Sequence, residues 1–302
     1  MKLIKRFLPL VVLAALAVFF WPTPRPRMKL LYENAPEAAL ASLTQFRKDT
    51  TGKEIKIDGK KWQYLSVGPG PETILFLHGM TGAYDIWWRQ IEEFKTQYRV
   101  ITLTYPAEKT LGELEKGVLA ILEAEGVKQF NVVGTSLGGY LAQYLVSRHP
   151  SRIGKAVFSN TFPPNDLIKE KNGKIGALIP FLPEWLVMSV LRGSFEKSVY
   201  PASGNDELTL AFLLEMGYGR MTKAQVDARY RCVVEKFVPA SDTSVPLLII
   251  EANNDPLVEP ALREQLKRTY QSARAITVAN GHFPYLGTPD AFNTVIREFF
   301  GE

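Results

Sequence analysis

Phe130-Asn-Val-Val-Gly-Thr-Ser-Leu-Gly-Gly-Tyr140 is the stretch that decides the fold. The β-type run Phe130–Val133 leads into Gly134-Thr-Ser136-Leu-Gly138, and a helical pattern over Gly139–Arg148 follows at once. A G-x-S-x-G sequence between a strand and a helix forms a nucleophile elbow, a turn sharp enough to hold its serine in a strained backbone conformation. Gly134 and Gly138 leave room for neighbouring backbone to pass close to the turn. The turn also sets Ser136 at the amino end of the helix, where free N–H groups and the helix dipole favour developing negative charge.

A serine hydroxyl is a weak nucleophile until a base takes its proton, so Ser136 calls for a histidine and an orienting carboxylate. His282, in Gly281-His-Phe-Pro284, and Asp255, in Asn253-Asn-Asp-Pro-Leu-Val258, each sit just past a strand-like run. Catalytic groups of α/β sheets collect at the carboxyl ends of strands, and the order Ser, Asp, His is the one this elbow uses. The competitors are weaker. His149 closes the helix after the elbow and reads as a helix-terminus cation; Asp166 and Glu251 are the alternative acids. Upstream, His78-Gly79-Met80-Thr-Gly82 follows another strand-like run and matches the H-G loop that supplies an oxyanion donor. Met80 and Leu137 are therefore the expected backbone N–H donors, with His78 and Gly79 in loop support.

Outward from these motifs, strand and helix patterns alternate as in a mostly parallel sheet covered on both faces. Eight strands are expected: Glu54–Ile57, Trp62–Val67, Thr73–Leu77, Arg99–Thr104, Phe130–Val133, Lys155–Ser159, Val245–Glu251 and Ala273–Val278. Runs such as Ile74-Leu-Phe-Leu77 and Leu247-Leu-Ile-Ile250 are continuously apolar, as strands buried on both faces must be. Further helices are expected near Ala35–Phe46 and over Ile86–Phe94, Leu111–Ala124, Pro260–Tyr270 and Pro289–Phe300. Asn160 to Ser244 is far longer than one crossover helix requires and is rich in helical pattern. It is expected to form a helical lid after the sixth strand, spanning about 161–244.

Composition narrows the function. A charge of +5 from 36 basic and 31 acidic residues, without a basic run interleaved with aromatics, gives no nucleic-acid groove. One cysteine, Cys232, excludes an internal disulfide, and three histidines without cysteine companions make a metal centre unexpected; no cofactor is implied. At the amino terminus, Lys2, Lys5 and Arg6 precede the uncharged run Phe7–Trp21, closed by Pro22-Thr-Pro-Arg-Pro26. Residues 1–29 are expected to be a single-pass membrane anchor and linker, the alternative being export after signal-peptide cleavage near Ala15-Leu-Ala17. Residues 30–302 are expected to be the catalytic domain.

Taken together, the elbow, the H-G loop and the two downstream loops resemble the α/β-hydrolase superfamily from about Glu54 to Phe300. Asp85-Ile-Trp-Trp-Arg-Gln-Ile91, Tyr98-Arg-Val-Ile-Thr-Leu-Thr-Tyr-Pro106, Gly134–Gln143 and His282-Phe-Pro-Tyr-Leu286 are similar to the maspardin-like hydrolases. The resemblance implies the eight-stranded fold with its lid and a nucleophile at Ser136. Maspardin itself differs at the position of His282 and is regarded more as a binding partner than as an enzyme; the departure here favours catalysis. The expected activity is hydrolysis of a small-molecule or lipid-like carboxylic ester by a serine esterase, through an acyl-enzyme. The alternative is a non-catalytic binding or adaptor protein on the same fold. No residue pattern names a protein partner.

Overall fold

A computed structural model describes residues 2–301, with side chains from Leu10 onward. Its centre is one eight-stranded sheet: β1 (Lys53–Ile57), β2 (Lys60–Val67), β3 (Thr73–Leu77), β4 (Arg99–Thr104), β5 (Phe130–Thr135), β6 (Ile153–Ser159), β7 (Leu247–Ala252) and β8 (Arg274–Val278). They lie in the order β1-β2-β4-β3-β5-β6-β7-β8. β2 runs antiparallel to β1 and β4, and every other neighbouring pair is parallel. All eight expected strands are present, their ends displaced by at most two residues. β3, β5 and β7 are buried along their whole length, so successive side chains feed two separate cores. Val133 packs on one face with Trp87, Phe94 and Phe292, while Val132 packs on the other with Leu114, Leu141 and Ile249.

Helices cover both faces. Along the chain these are α1 (Lys2–Phe19), α2 (Glu37–Asp49), α3 (Trp88–Phe94, entered through a 3-10 turn at Tyr84–Trp87), α4 (Leu111–Ala124) and α5 (Leu137–Arg148). Between β6 and β7 come α6 (Leu167–Leu178), α7 (Glu184–Ser194), α8 (Glu207–Glu215) and α9 (Lys223–Val234); α10 (Pro260–Thr269) and α11 (Pro289–Phe300) complete the body. The long insert between β6 and β7 thus carries these four helices together with shorter helical turns. After α7 the chain widens into a π-type turn at Phe195–Val199.

A charge cluster ties the insert to the body. Asp85, fully buried at the entry to α3, accepts from Arg47 Nε at 2.8 Å and from Arg220 Nη2 at 2.9 Å. Arg47 on α2 also donates to both oxygens of Glu215 at the end of α8, at 3.2 and 2.9 Å, and the Tyr32 hydroxyl donates to Glu215 Oε2 at 2.6 Å. Burial works to raise the Asp85 carboxyl, but the two guanidinium groups more than offset it and hold it below the usual range.

The expected single-pass anchor is corrected by the structure: among the described residues no helix is long and apolar enough to cross a membrane. The reason is length and punctuation. Charges at Lys2, Lys5 and Arg6 occupy the first turns of α1, the helix ends at Phe19, and three prolines follow within seven residues. The uncharged helical part, Phe7–Phe19, is only about 20 Å long at 1.5 Å per residue, against roughly 30 Å of hydrocarbon. Its carboxyl end instead rests on the insert, where Trp185 Nε1–H donates to the Val18 carbonyl at 2.8 Å. Lys223 lies 5.7 Å from the centre of the Phe19 ring.

Candidate active site

Ser136 sits at the junction of β5 and α5 with φ 52° and ψ −120°, a left-handed backbone conformation that a serine adopts only under constraint. The constraint is close packing. A Cβ on Gly134 would come within 2.2 Å of the Gly138 carbonyl oxygen, and one on Gly138 within 2.1 Å of the Leu77 carbonyl oxygen, so neither position accepts a side chain. The Thr161 hydroxyl donates to the Ser136 carbonyl at 2.6 Å and steadies the turn from the β6 side. Leu137 is the first residue of α5, so its N–H belongs to the first-turn groups that no carbonyl of that helix satisfies.

Asp255 and His282, 27 residues apart, meet beyond the ends of β7 and β8. His282 Nδ1–H donates to Asp255 Oδ2 at 2.8 Å, and both side chains are buried. Asp255 Oδ1 accepts the backbone N–H groups of Leu257 and Val258 at 2.8 and 3.1 Å. Burial pushes the Asp255 carboxyl up; the neighbouring His282 ring and these hydrogen bonds outweigh it and hold the carboxyl below its ordinary range. An ionised carboxylate on Nδ1 leaves Nε2 of His282 as the nitrogen free to act on a hydroxyl.

One partner of this pair escapes sequence reading. Asn160, the residue after β6, donates through Nδ2 to Asp255 Oδ2 at 3.0 Å and to the Gly281 carbonyl at 3.0 Å. It is buried and stands at φ 42°, in the left-handed region that asparagine tolerates better than most residues. An asparagine at the carboxyl end of a strand beside the elbow strand is the available signal, but the loops it joins lie about a hundred residues downstream.

The His78–Gly82 loop abuts the elbow, since a Cβ on Gly79 would stand 3.1 Å from Ser136 Cβ and 3.7 Å from its Oγ. His78 is fully buried, donates from Nδ1 to the Gly79 carbonyl at 2.6 Å and accepts the Tyr105 N–H at Nε2 at 3.3 Å. Burial, reinforced by the Arg229 charge, drives its pKa well down, so the ring is neutral and fully engaged in holding the loop. The other candidates lie elsewhere. Asp166 pairs with Lys236 at 2.6 Å, Glu251 with Lys267 at 2.9 Å, and His149 Nε2 with Glu115 at 2.6 Å.

Ser136, His282, Gly79 and Met80 line one cavity of about 500 Å³, within the usual size range of small-molecule sites. Its floor is the end of the sheet, and its walls come from the insert through Ile179, Phe195, Val199 and Val233 and from Phe162 and Leu257. Lys171, Asn172 and Glu259 supply polar groups on the same wall.

Residues 72–289 match the family model described as the alpha/beta hydrolase fold, which covers more than half of the chain. The chain belongs to that family. The alpha/beta hydrolase fold accounts for the strand order, the elbow at Ser136 and the placement of the two downstream loops. Maspardin of Danio rerio is 23% identical over 271 residues, 85% of this chain and 86% of that protein. The pimeloyl-[acyl-carrier protein] methyl ester esterase of Neisseria meningitidis serogroup B is 24% identical over 195 residues, 61% of this chain and 72% of that protein. Among solved structures, the enol-lactonase from Burkholderia xenovorans LB400 superposes with a TM-score of 0.73 at 18% identity, covering 83% of this chain and all of that one, a likeness of fold.

Proposed function

We propose that this alpha/beta hydrolase is a serine hydrolase that cleaves carboxylic esters through an acyl-enzyme on Ser136. The observation that carries the reading is the buried Asp255–His282 pair, whose histidine shares a cavity with a strained serine at a helix amino end. In this scheme His282 Nε2 takes the Ser136 hydroxyl proton as Oγ attacks the ester carbonyl. The N–H groups of Met80 and Leu137 receive the oxyanion, and the protonated His282 returns its proton to the leaving alcohol. Water then attacks the acyl carbon and loses a proton to the same ring; the acyl–Oγ bond breaks, the ring returns the proton to Ser136 Oγ and the acid leaves. Asp255 keeps the ring in the required tautomer and balances its charge when protonated.

The insert over about 161–244 is the lid in this reading, and its apolar wall suits the acyl chain of a small or lipid-like ester. The test is a p-nitrophenyl ester series graded by acyl length, with rapid quenching and mass analysis of the peptide containing Ser136. The expected result is a burst of alcohol equal to one site per chain, an acyl adduct on Ser136, and kcat/KM rising with chain length until the cavity is filled. A folded chain that forms no adduct with any ester would mean a binding module built on the hydrolase fold, in keeping with its similarity to maspardin.

A further inference from the structure

Arg229, on α9 of the insert, is fully buried and has no carboxylate partner among the described residues. Its guanidinium bonds to three backbone carbonyls, with the Met221 sulfur at 3.4 Å from Nη1 besides. Nη1 donates to Met80 O at 2.5 Å and to Gly82 O at 3.1 Å, and Nη2 donates to Tyr105 O at 2.8 Å. Nε has no hydrogen-bond partner, and the Tyr105 ring centre lies 5.7 Å from Cζ. Burial pulls its pKa down to about 10, which still leaves the group charged at neutral pH. Burying a cation without a counter-ion costs several kcal/mol, and a leucine or methionine would pack a helix onto a loop without that cost. The charge therefore calls for a reason beyond packing.

The geometry of the loop supplies one. The Gly79 carbonyl is fixed by His78 Nδ1–H at 2.6 Å and by the Gly82 N–H at 3.2 Å. In a planar trans peptide the C=O and N–H point in opposite directions, so anchoring the Gly79 carbonyl on that side turns the Met80 N–H away from the His78 ring. Arg229 fixes the next carbonyl, Met80 O, and the one that closes the loop, Gly82 O. Tyr105 links the two clamps, since its N–H donates to His78 and its carbonyl accepts from Arg229.

We propose that Arg229 is a positioning residue for the oxyanion: its guanidinium fixes the Met80 and Gly82 carbonyls on the far side of the loop and so, with the Gly79–Met80 peptide held by His78, keeps the Met80 N–H facing the oxygen that becomes charged when Ser136 is acylated. The assignment rests on the ester-hydrolase reading above. It also makes the insert part of the catalytic apparatus, because the oxyanion loop is held in register only when α9 is seated against it.

The experiment compares full-length parent, Arg229→Met and Arg229→Lys, each counted by active-site titration, in ester turnover and in affinity for a trifluoromethyl ketone, which forms a tetrahedral adduct on serine. Arg229→Met is expected to lower kcat about 10- to 100-fold, the order reached when an oxyanion donor is impaired, with KM changed less than about threefold. Affinity for the ketone should fall in step with kcat/KM, and affinity for the carboxylic acid product should stay. A lysine cannot span both loop carbonyls and Tyr105 at once, so Arg229→Lys should show the same pattern at smaller size. It decides the question if the methionine variant does not fold. Parental kcat and ketone affinity in either folded variant overturn the assignment, as does a loss that vanishes once sites are counted. A parent that forms no ketone adduct and turns over no ester refutes both readings, since no oxyanion then exists to position.

Discussion

Asp255 and Asp85 are both buried carboxylates held in the ionised form, and they achieve it in opposite ways. Asp85 faces two guanidinium groups that never lose their charge, on α2 and after α8, and so fastens three parts of the chain together. Asp255 faces one imidazole, two backbone N–H groups and the Asn160 amide. Only the second arrangement contains an imidazole, whose second ring nitrogen can accept a hydrogen bond, as no guanidinium nitrogen can. Permanent counter-charges make a fastening; in the proposed function, the imidazole makes a proton relay.

The contrast is broken most severely by removing charge from each carboxylate in turn. Asp255→Asn is expected to lower kcat/KM by about 10⁴-fold, or roughly 5 kcal/mol, because the amide turns the His282 ring to the wrong tautomer. Thermal unfolding of that variant should stay close to the parent. Comparable turnover in parent and variant would remove Asp255 from the relay. Asp85→Asn should do the reverse, costing about 3 kcal/mol of stability by leaving Arg47 and Arg220 short of a counter-charge. Its activity per titrated site should remain parental.

Acid sharpens the same point. Asp85 titrates below its usual value in the folded chain, so its stabilising contribution is complete above about pH 4 and is lost as pH falls through the lower folded value. The gap in melting temperature between parent and Asp85→Asn should therefore narrow between pH 7 and pH 3. A gap independent of pH would mean that the carboxylate is not the element that matters. The smallest expected change comes from Asn160→Ala, which removes one donor from Asp255 and one tie to Gly281. A fall in kcat of about tenfold, with KM near parental, is the expected outcome in steady-state assays.

The parts that were legible in the sequence are those in which local pattern and tertiary role coincide. Apolar runs marked β3 and β7, because strands buried on both faces carry few polar side chains, and the glycines flanking Ser136 marked a turn that leaves no space for side chains. The Asp255 and His282 loops followed from their place after strands. Asn160 and Arg229 were not legible, since each bonds to groups brought close only by the finished fold, and a buried arginine in a helix looks in sequence like a solvated one. The amino-terminal segment misled for a physical reason as well: hydrophobicity showed over Phe7–Trp21, but the helix stops at Phe19 and the prolines beyond cannot extend it. The 3-10 entry to α3 and the π-type turn at Phe195–Val199 leave no periodic trace.

An activated serine at position 136 would show in labelling of the purified chain by a fluorophosphonate probe beside Ser136→Ala and His282→Ala. The expected result is stoichiometric labelling of the parent at Ser136, none in the serine variant, and a rate reduced by at least about 10³-fold in the histidine variant. A well-folded parent that does not label, or labelling that persists without Ser136, would contradict it.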